Sequence, residues 1–300
     1  MGKVILDSFI HFLIVIIEIK IEIIVKSIYI FRYHNFIDEK AKKFIGKILK
    51  DRPVKKVSYS GQGVRVVTKP GKASDEMIIE AQYAISTIPL GVLQKGIVEF
   101  DPPFSTDKND SIKRFKMGNY EKIYVQFPEN FWGDKEVLFS LNTDRPPSES
   151  IMTWGLNLDI DKYFKNSKML TFHSMGPTAR RIAEQDDEIT KKEVNMIMRK
   201  MFPGKAVNAS NILVTNWANE EYTYGSWAAM PEKFSKTDWS LVRQNEKRLY
   251  FAGEHTSSNY GFVHSAYQSG EQTAKEIYYE INNVPIPPTT VRKFCPGNIY

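Results

Sequence analysis

The chain has a single cysteine, Cys295, among its 300 residues, so no disulfide can close within it. It has no G-x-G-x-x-G. Gly2, Gly46, Gly61 and Gly63 do not form that motif, and no strand-to-helix pattern surrounds them, so no dinucleotide-binding fingerprint can be read. The five histidines lack metal-ligand spacing: His255 and His264 fall on different expected elements, and no zinc site follows. Long uncharged runs are also missing, because Glu18, Lys20 and Glu22 interrupt the apolar stretch from Ile10 before it reaches the ~20 residues of a membrane-spanning helix. Basic charge is not concentrated either. The net charge of +6 is spread through pairs such as Lys55 and Lys56 or Arg180 and Arg181, which leaves no footprint for nucleic acid.

What is present is an ordered composition. With 42% hydrophobic and 25% charged residues, the chain can build two ordinary domains. Leu249 to Ala252 form a short apolar run that reads as a core strand, and Gly253 lets the backbone turn after it. From Phe262, the residues Val263, Ala266, Tyr267, Gly270, Ala274 and Ile277 recur at helical spacing, with small residues at Ser265, Ala266, Ser269 and Gly270 permitting close packing. A helix starting there carries unpaired N–H groups and partial positive charge, which suit an anionic or electron-rich partner. A strand, turn and packed helix with no ligand remains open on spacing alone.

These residues, GEHTS and FVHSAYQSG, resemble the C-terminal cofactor segment of the flavin-containing amine oxidases, and within them the polyamine oxidases. Three further stretches share the resemblance: YAISTIPLGVLQ from Tyr83, MGNYEKIYVQFPENFW from Met117 and TNWANEEYTYGSWAAMP from Thr215. Together they cover about residues 36–282. By position, the resemblance implies that Gly253 and Glu254 lie near the ribose and diphosphate of a non-covalent FAD. Phe262 and Val263 would lie beside its ring, with Trp217 against the flavin and Val54 at the adenine. Lys122 becomes the lysine that holds a water at flavin N5, with Tyr120, Tyr224 and Phe262 as substrate contacts. Tyr224 and Phe262 would be the two walls of an aromatic slot for an aliphatic amine. Many polyamine oxidases have tyrosine where this sequence has Phe262, which keeps the wall and loses a hydroxyl.

The implied fold is mixed α/β, the C-terminal part of a two-domain FAD-dependent amine oxidase. It would comprise an unmatched apolar segment 1–34, a partial FAD-binding domain 35–95, a substrate domain 96–215, a C-terminal FAD segment 216–282 and an irregular tail 283–300. Within it, Val54–Tyr59 and Gly63–Thr68 read as a hairpin, and Tyr120, Lys122 and Tyr124 alternate with Ile123, Val125 and Phe127 along a strand. The spacing predicts a basic amphipathic helix over 36–50 with Phe44, Ile45, Ile48 and Leu49 inward, and a turn at Pro89 and Gly91. Strands are expected at 138–142, 151–158 and 169–175, and helices at 178–181 and 188–201.

The opening run leaves three readings: a strand or helix packed on the remaining core, a membrane anchor over residues 4–31, or sequence from outside the ancestral coding region. A cytoplasmic location is the expectation. The implied reaction is oxidation of a secondary amine, a polyamine or related compound, by hydride transfer to flavin. Hydrolysis of the iminium follows, and oxygen is reduced to hydrogen peroxide. Two other classes stay open. One is a flavin-dependent protein-lysine demethylase, though no long helical insertion interrupts residues 100–240. The other is an inactive remnant or interaction protein.

Overall fold

The computed structural model describes residues 12–14, 33–70, 75–139 and 154–287. Along the chain, the first elements are β1 (Phe12–Ile14), α1 (Tyr33–Ala41), β2 (Val54–Tyr59), β3 (Val64–Thr68), β4 (Ile78–Ala81) and β5 (Tyr83–Ser86). They are followed by α2 (Leu90–Lys95), β6 (Glu99–Asp101), α3 (Thr106–Arg114), β7 (Lys116–Gly118), β8 (Tyr120–Gln126) and β9 (Val137–Phe139). Next come β10 (Trp154–Asn157), β11 (Met169–Met175), α4 (Gly176–Glu184), α5 (Asp187–Met201) and β12 (Asn211–Val214). The last are β13 (Trp227–Ala229), α6 (Lys236–Arg243), β14 (Leu249–Phe251) and α7 (Val263–Ile281). The described residues divide into two compact units, one drawn from 12–14, 33–70, 75–117 and 227–287, the other from 118–139 and 154–226.

In the first unit β1, β5 and β14 form a parallel sheet in that order. Strands buried on both faces read as continuous apolar runs, and Leu249, Tyr250 and Phe251 are all buried. Helix α7 packs on this sheet through Ser265, Ser269, Thr273 and Ile277, spaced by four and all buried. The contacting face is therefore the hydroxyl-bearing one, while Val263, expected on an apolar stripe, is exposed. Small side chains let the helix approach closely, and Thr273 Oγ1 donates to the Phe251 carbonyl at 3.2 Å. A second sheet runs β4, β3, β2, β6, and the hairpin of β2 and β3 is antiparallel, as its sequence suggests.

Two buried polar groups fasten the helices of this unit. The ammonium of Lys108, on α3, donates to the carbonyls of Leu241, Val242 and Gln244 at the end of α6 and lies 3.8 Å from the Phe251 ring centre. It thus supplies donors to carbonyls that a helix end leaves unpaired. At the other end of α6, Ser235 and Asp238 form a capping box, and Arg114 and Ser111 of α3 also donate to the Asp238 carboxylate.

The second unit is a five-stranded antiparallel sheet in the order β12, β8, β11, β10, β9. Its core joins Ile123, Val125 and Phe127 to Leu170 and Phe172 and to Ile182, Val194, Ile197 and Met198 of α4 and α5. The alternation along β8 is thus realised. Gly155 stands opposite Phe172, and a Cβ there would lie 2.6 Å from that ring, so only glycine lets β10 close on β11.

Some expectations change. Helix α1 ends at Ala41 and tightens into a 3-10 turn over Lys42–Lys47, with Phe44, Ile45 and Leu49 exposed instead of inward. Gly46, near the end of that turn, disfavours a return to α-helix beyond it. A helix, α2, follows Pro89 in place of the expected turn and takes in Gly91; Pro89 is its N-cap, and its carbonyl accepts the first helical N–H groups, from Val92 and Leu93. Helix α4 runs from Gly176 to Glu184, longer at both ends than expected. The 140–142 and 151–153 ends of two expected strands, the turn at 144–147, most of residues 4–31 with its anchor reading, and Cys295 lie outside the described residues. Among the described residues, no helix is long and apolar enough to cross a membrane.

Burial pushes the Asp238 carboxyl up, but the hydrogen bonds from Ser235 and Arg114 outweigh it and hold the pKa at about 2. A carboxyl held below its unfolded value stabilises the fold above that value and loses the contribution as pH falls. Asp238→Asn should therefore lower unfolding free energy by about 1–3 kcal/mol at pH 7. In urea titrations the gap to the parent should close between the ordinary 3.8 and about 2.

Candidate active site

The second unit presents Tyr120, Lys122 and Tyr124 on one face of β8, each half-buried, opposite the apolar core face. Among the described residues the Lys122 ammonium has no hydrogen-bond partner, whereas its backbone is fixed: Lys122 N–H donates to Thr215 Oγ1 at 3.0 Å, and Thr215 N–H donates back to the Lys122 carbonyl at 3.2 Å. Burial raises the pKa of the Tyr120 and Tyr124 phenols, so both rings present a protonated hydroxyl at neutral pH.

Glu121, between Tyr120 and Lys122, points to the core side and is fully buried. A buried carboxylate needs partners, and the segment after β12 provides them. Thr215 Oγ1 donates to it at 2.6 Å, Trp217 N–H at 3.1 Å and Ala218 N–H at 3.2 Å. The loop returns to the strand at Ser226, whose hydroxyl accepts from Tyr120 N–H at 2.9 Å and donates to Tyr120 O at 3.0 Å. Between these two attachments the chain turns back on itself, with Gly225 N–H bonded to the Trp217 carbonyl at 2.9 Å and Tyr224 N–H to Glu220 O at 2.9 Å. Tyr224 adopts a left-handed backbone, φ 49°. Trp217 and Tyr224, both half-buried, are thus tied to the strand that carries Lys122 and Tyr120.

In the first unit β14 is followed, two residues on, by Gly253, with φ 126°, where a Cβ would meet the His255 ring at 2.8 Å. The turn is clamped. Gly253 N–H donates to Ser269 Oγ at 2.8 Å, and Thr256 returns to the Gly253 carbonyl through its N–H and its hydroxyl. Glu254 accepts from Ala228 N–H at 2.9 Å and from Gly261 N–H at 2.7 Å. Burial raises its pKa, and those two amides pull in the opposite direction. Its carboxylate thereby fixes the loop leading to Phe262 and Val263. Those two residues are 55% and 39% exposed at the start of α7, whose first turn has no side-chain cap. Ser265 Oγ, one turn in, is buried without a hydrogen-bond partner among the described residues. Val54 begins β2 in the other sheet, opposite Thr68.

Tyr120, Lys122, Trp217 and Tyr224 therefore share one unit, and Gly253, Glu254, Phe262 and Val263 share the other with Val54. Glu121, Thr215 and Ser226 were not candidates from the sequence. For Glu121 a signal existed, a carboxylate in register with Ile123 and Val125.

The sequence pattern of the family described as "Flavin containing amine oxidoreductase" matches residues 6–278. The chain belongs to this family. The match reaches into the opening run, in which the sequence alone shows no resemblance. Polyamine oxidase 1 of Zea mays is 33% identical over 243 residues, covering 79% of this chain and 47% of the relative. Lysine-specific histone demethylase 2 of Homo sapiens is 30% identical, covering 75% and 27%. The chain thus spans about half or less of the curated relatives it matches. In fold it is similar to cyclohexylamine oxidase from Brevibacterium oxydans IH-35A, with TM-score 0.62 and 20% identity over 81% of this chain and 51% of that one. It is also similar to a redesigned putrescine oxidase, with TM-score 0.64 and 17% identity over 80% and 51%. The mixed α/β architecture is that of flavin-dependent amine oxidases.

Removing the Glu121 carboxylate should loosen this family member's loop before anything else. In Glu121→Ala the amides of Trp217 and Ala218 should exchange hydrogen about 10–100 times faster than in the parent, while the α5 amides stay protected. Mass spectrometry of exchanged peptides reads the difference.

Proposed function

We propose that the chain acts as an FAD-dependent amine oxidase of the polyamine oxidase type, oxidising a secondary amine by hydride transfer, with oxygen as acceptor and hydrogen peroxide as product. The observation that carries the reading is the face of β8, where Lys122 stands between two protonated tyrosines with its ammonium unpartnered among the described residues. The 33% identity to a plant polyamine oxidase supports it.

The first unit fits a flavin. Gly253 leaves its turn open to close backbone approach, α7 begins without a cap, and Ser265 Oγ is buried and unpartnered among the described residues. We assign non-covalent FAD to Val54, Gly253, Glu254, Phe262 and Val263 of this unit. The partial positive charge at the start of α7 favours an electron-rich or anionic ring edge. When bound, the flavin supplies the two-electron acceptor for the hydride leaving the amine's α-carbon. Tyr120 and Tyr224 hold the aliphatic chain and keep water from it, and their ring faces attract any remaining ammonium of a polyamine. Lys122 holds the water whose oxygen adds to the iminium carbon, releasing an aldehyde and the shortened amine.

Purified with FAD, the protein should show a visible flavin spectrum and release peroxide with spermine, spermidine or their acetylated forms. A protein that stays colourless after reconstitution overturns the proposal. Turnover of a methylated-lysine peptide in place of the polyamines would move it to the demethylase reading that the human relative raises. Lys122→Met should lower kcat about 100-fold or more with flavin still bound, and unchanged kinetics would remove Lys122 from the mechanism.

A further inference from the structure

Strand β11 carries one titratable side chain that this reaction does not use. His173 stands directly opposite Lys122 in the antiparallel ladder, so both side chains leave the sheet on the same face, with Cβ atoms roughly 5 Å apart. Tyr120 is the diagonal neighbour, and its hydroxyl is hydrogen-bonded to His173 Nδ1. On the other flank Trp154, the partner of His173 in β10, lies flat on the imidazole, with ring centres 3.8 Å apart and planes at 10°. The ring is buried, and its Nε2 meets no partner among the described residues. Burial first, and then the Lys122 charge, lower the His173 pKa to about 4, while burial raises that of Tyr120. The bond therefore joins two neutral groups and persists across the neutral pH range.

A strand tyrosine can adopt two common χ1 rotamers. One hydrogen bond at its far end selects between them. We propose that His173 is a positioning residue for the amine site: its Nδ1 fixes the Tyr120 hydroxyl and so sets the angle of the ring that contacts the substrate. The inference rests on the function proposed above. A neutral imidazole suits the task, since an acid at this place would pair with Lys122 and a second cation would repel it.

The alternative is that His173 serves only as a flat plate against Trp154. Three substitutions separate the two roles, because an asparagine amide can reach the place of Nδ1, a glutamine amide that of Nε2, and phenylalanine keeps the flat ring without either nitrogen. In the FAD-loaded full chain with spermine, His173→Phe and His173→Gln should raise KM about tenfold with kcat within about twofold, the effect of one lost hydrogen bond on binding. His173→Asn should stay within about threefold of the parent. Tyr120→Phe should match His173→Phe, and the double variant should be no worse than either single one. If phenylalanine equals the parent and asparagine is the poor variant, or if the two sites add, the proposal is overturned. Should the His173 variants fail to fold, an unchanged KM in Tyr120→Phe overturns it just as well. A parent that turns over no amine sinks the proposed function and this inference together, whereas an active parent with the wrong order of variants sinks the inference alone.

Discussion

The arrangement of the second unit depends on one buried negative charge. Glu121 lies on the core side of β8 with no solvent to stabilise it, and a carboxylate so placed is tolerated only where donors converge on it. Those donors are a hydroxyl and two amides from the segment 215–218, far away along the chain. The carboxylate therefore anchors the segment just beyond the point where the β12 ladder delivers it. Trp217 lies in that segment, and Tyr224 follows it on a loop whose other end Ser226 ties to Tyr120. Hydrophobic packing of Ile123, Val125 and Phe127 holds the strand, but packing is non-directional and would not by itself choose the path of the loop.

The first unit solves a similar problem with backbone and hydroxyl groups. Its parallel sheet ends at a glycine in a conformation that other residues rarely adopt, and Ser269, Thr256 and Thr273 attach that strand end to its own turn and to α7. Glu254 plays towards Ala228 and Gly261 the part that Glu121 plays towards Trp217 and Ala218. In both units a carboxylate gathers amides of a loop, and the loop then presents aromatic or apolar side chains near its surface.

Period-2 alternation made β8 legible, and with it the face shared by Tyr120 and Lys122. Apolar runs bounded by glycine made β14 and the start of α7 legible as well. The hairpin of β2 and β3 followed from its turn residues. Where interpretation of the pattern failed, tertiary context decided. The residues from Phe44 to Leu49 have a plausible inward face, yet they lie beyond the end of α1 at Ala41, and Phe44, Ile45 and Leu49 stay exposed. On α7 the small residues Ser265 and Ser269 pack as expected and Ile277 of the apolar stripe is buried, whereas Val263 at the head of that stripe is exposed. His173 was unreadable for a different reason: its neighbours are set by strand register, which no local pattern records. The four stretches that resemble amine oxidases were visible because each combines several uncommon residues in order, whereas the hydroxyls that fasten them, Thr215 and Ser226, are ordinary residues taken one at a time.

Tyr224 shows how such a loop is held. A left-handed backbone at a bulky residue costs of order 1–3 kcal/mol, and glycine or asparagine would relax it. The chain keeps a large ring there all the same. Sequence drift towards glycine or asparagine at this position would make the molecule sturdier and strip away an aromatic surface in the same step, so backbone ease and ring placement pull this position in opposite directions.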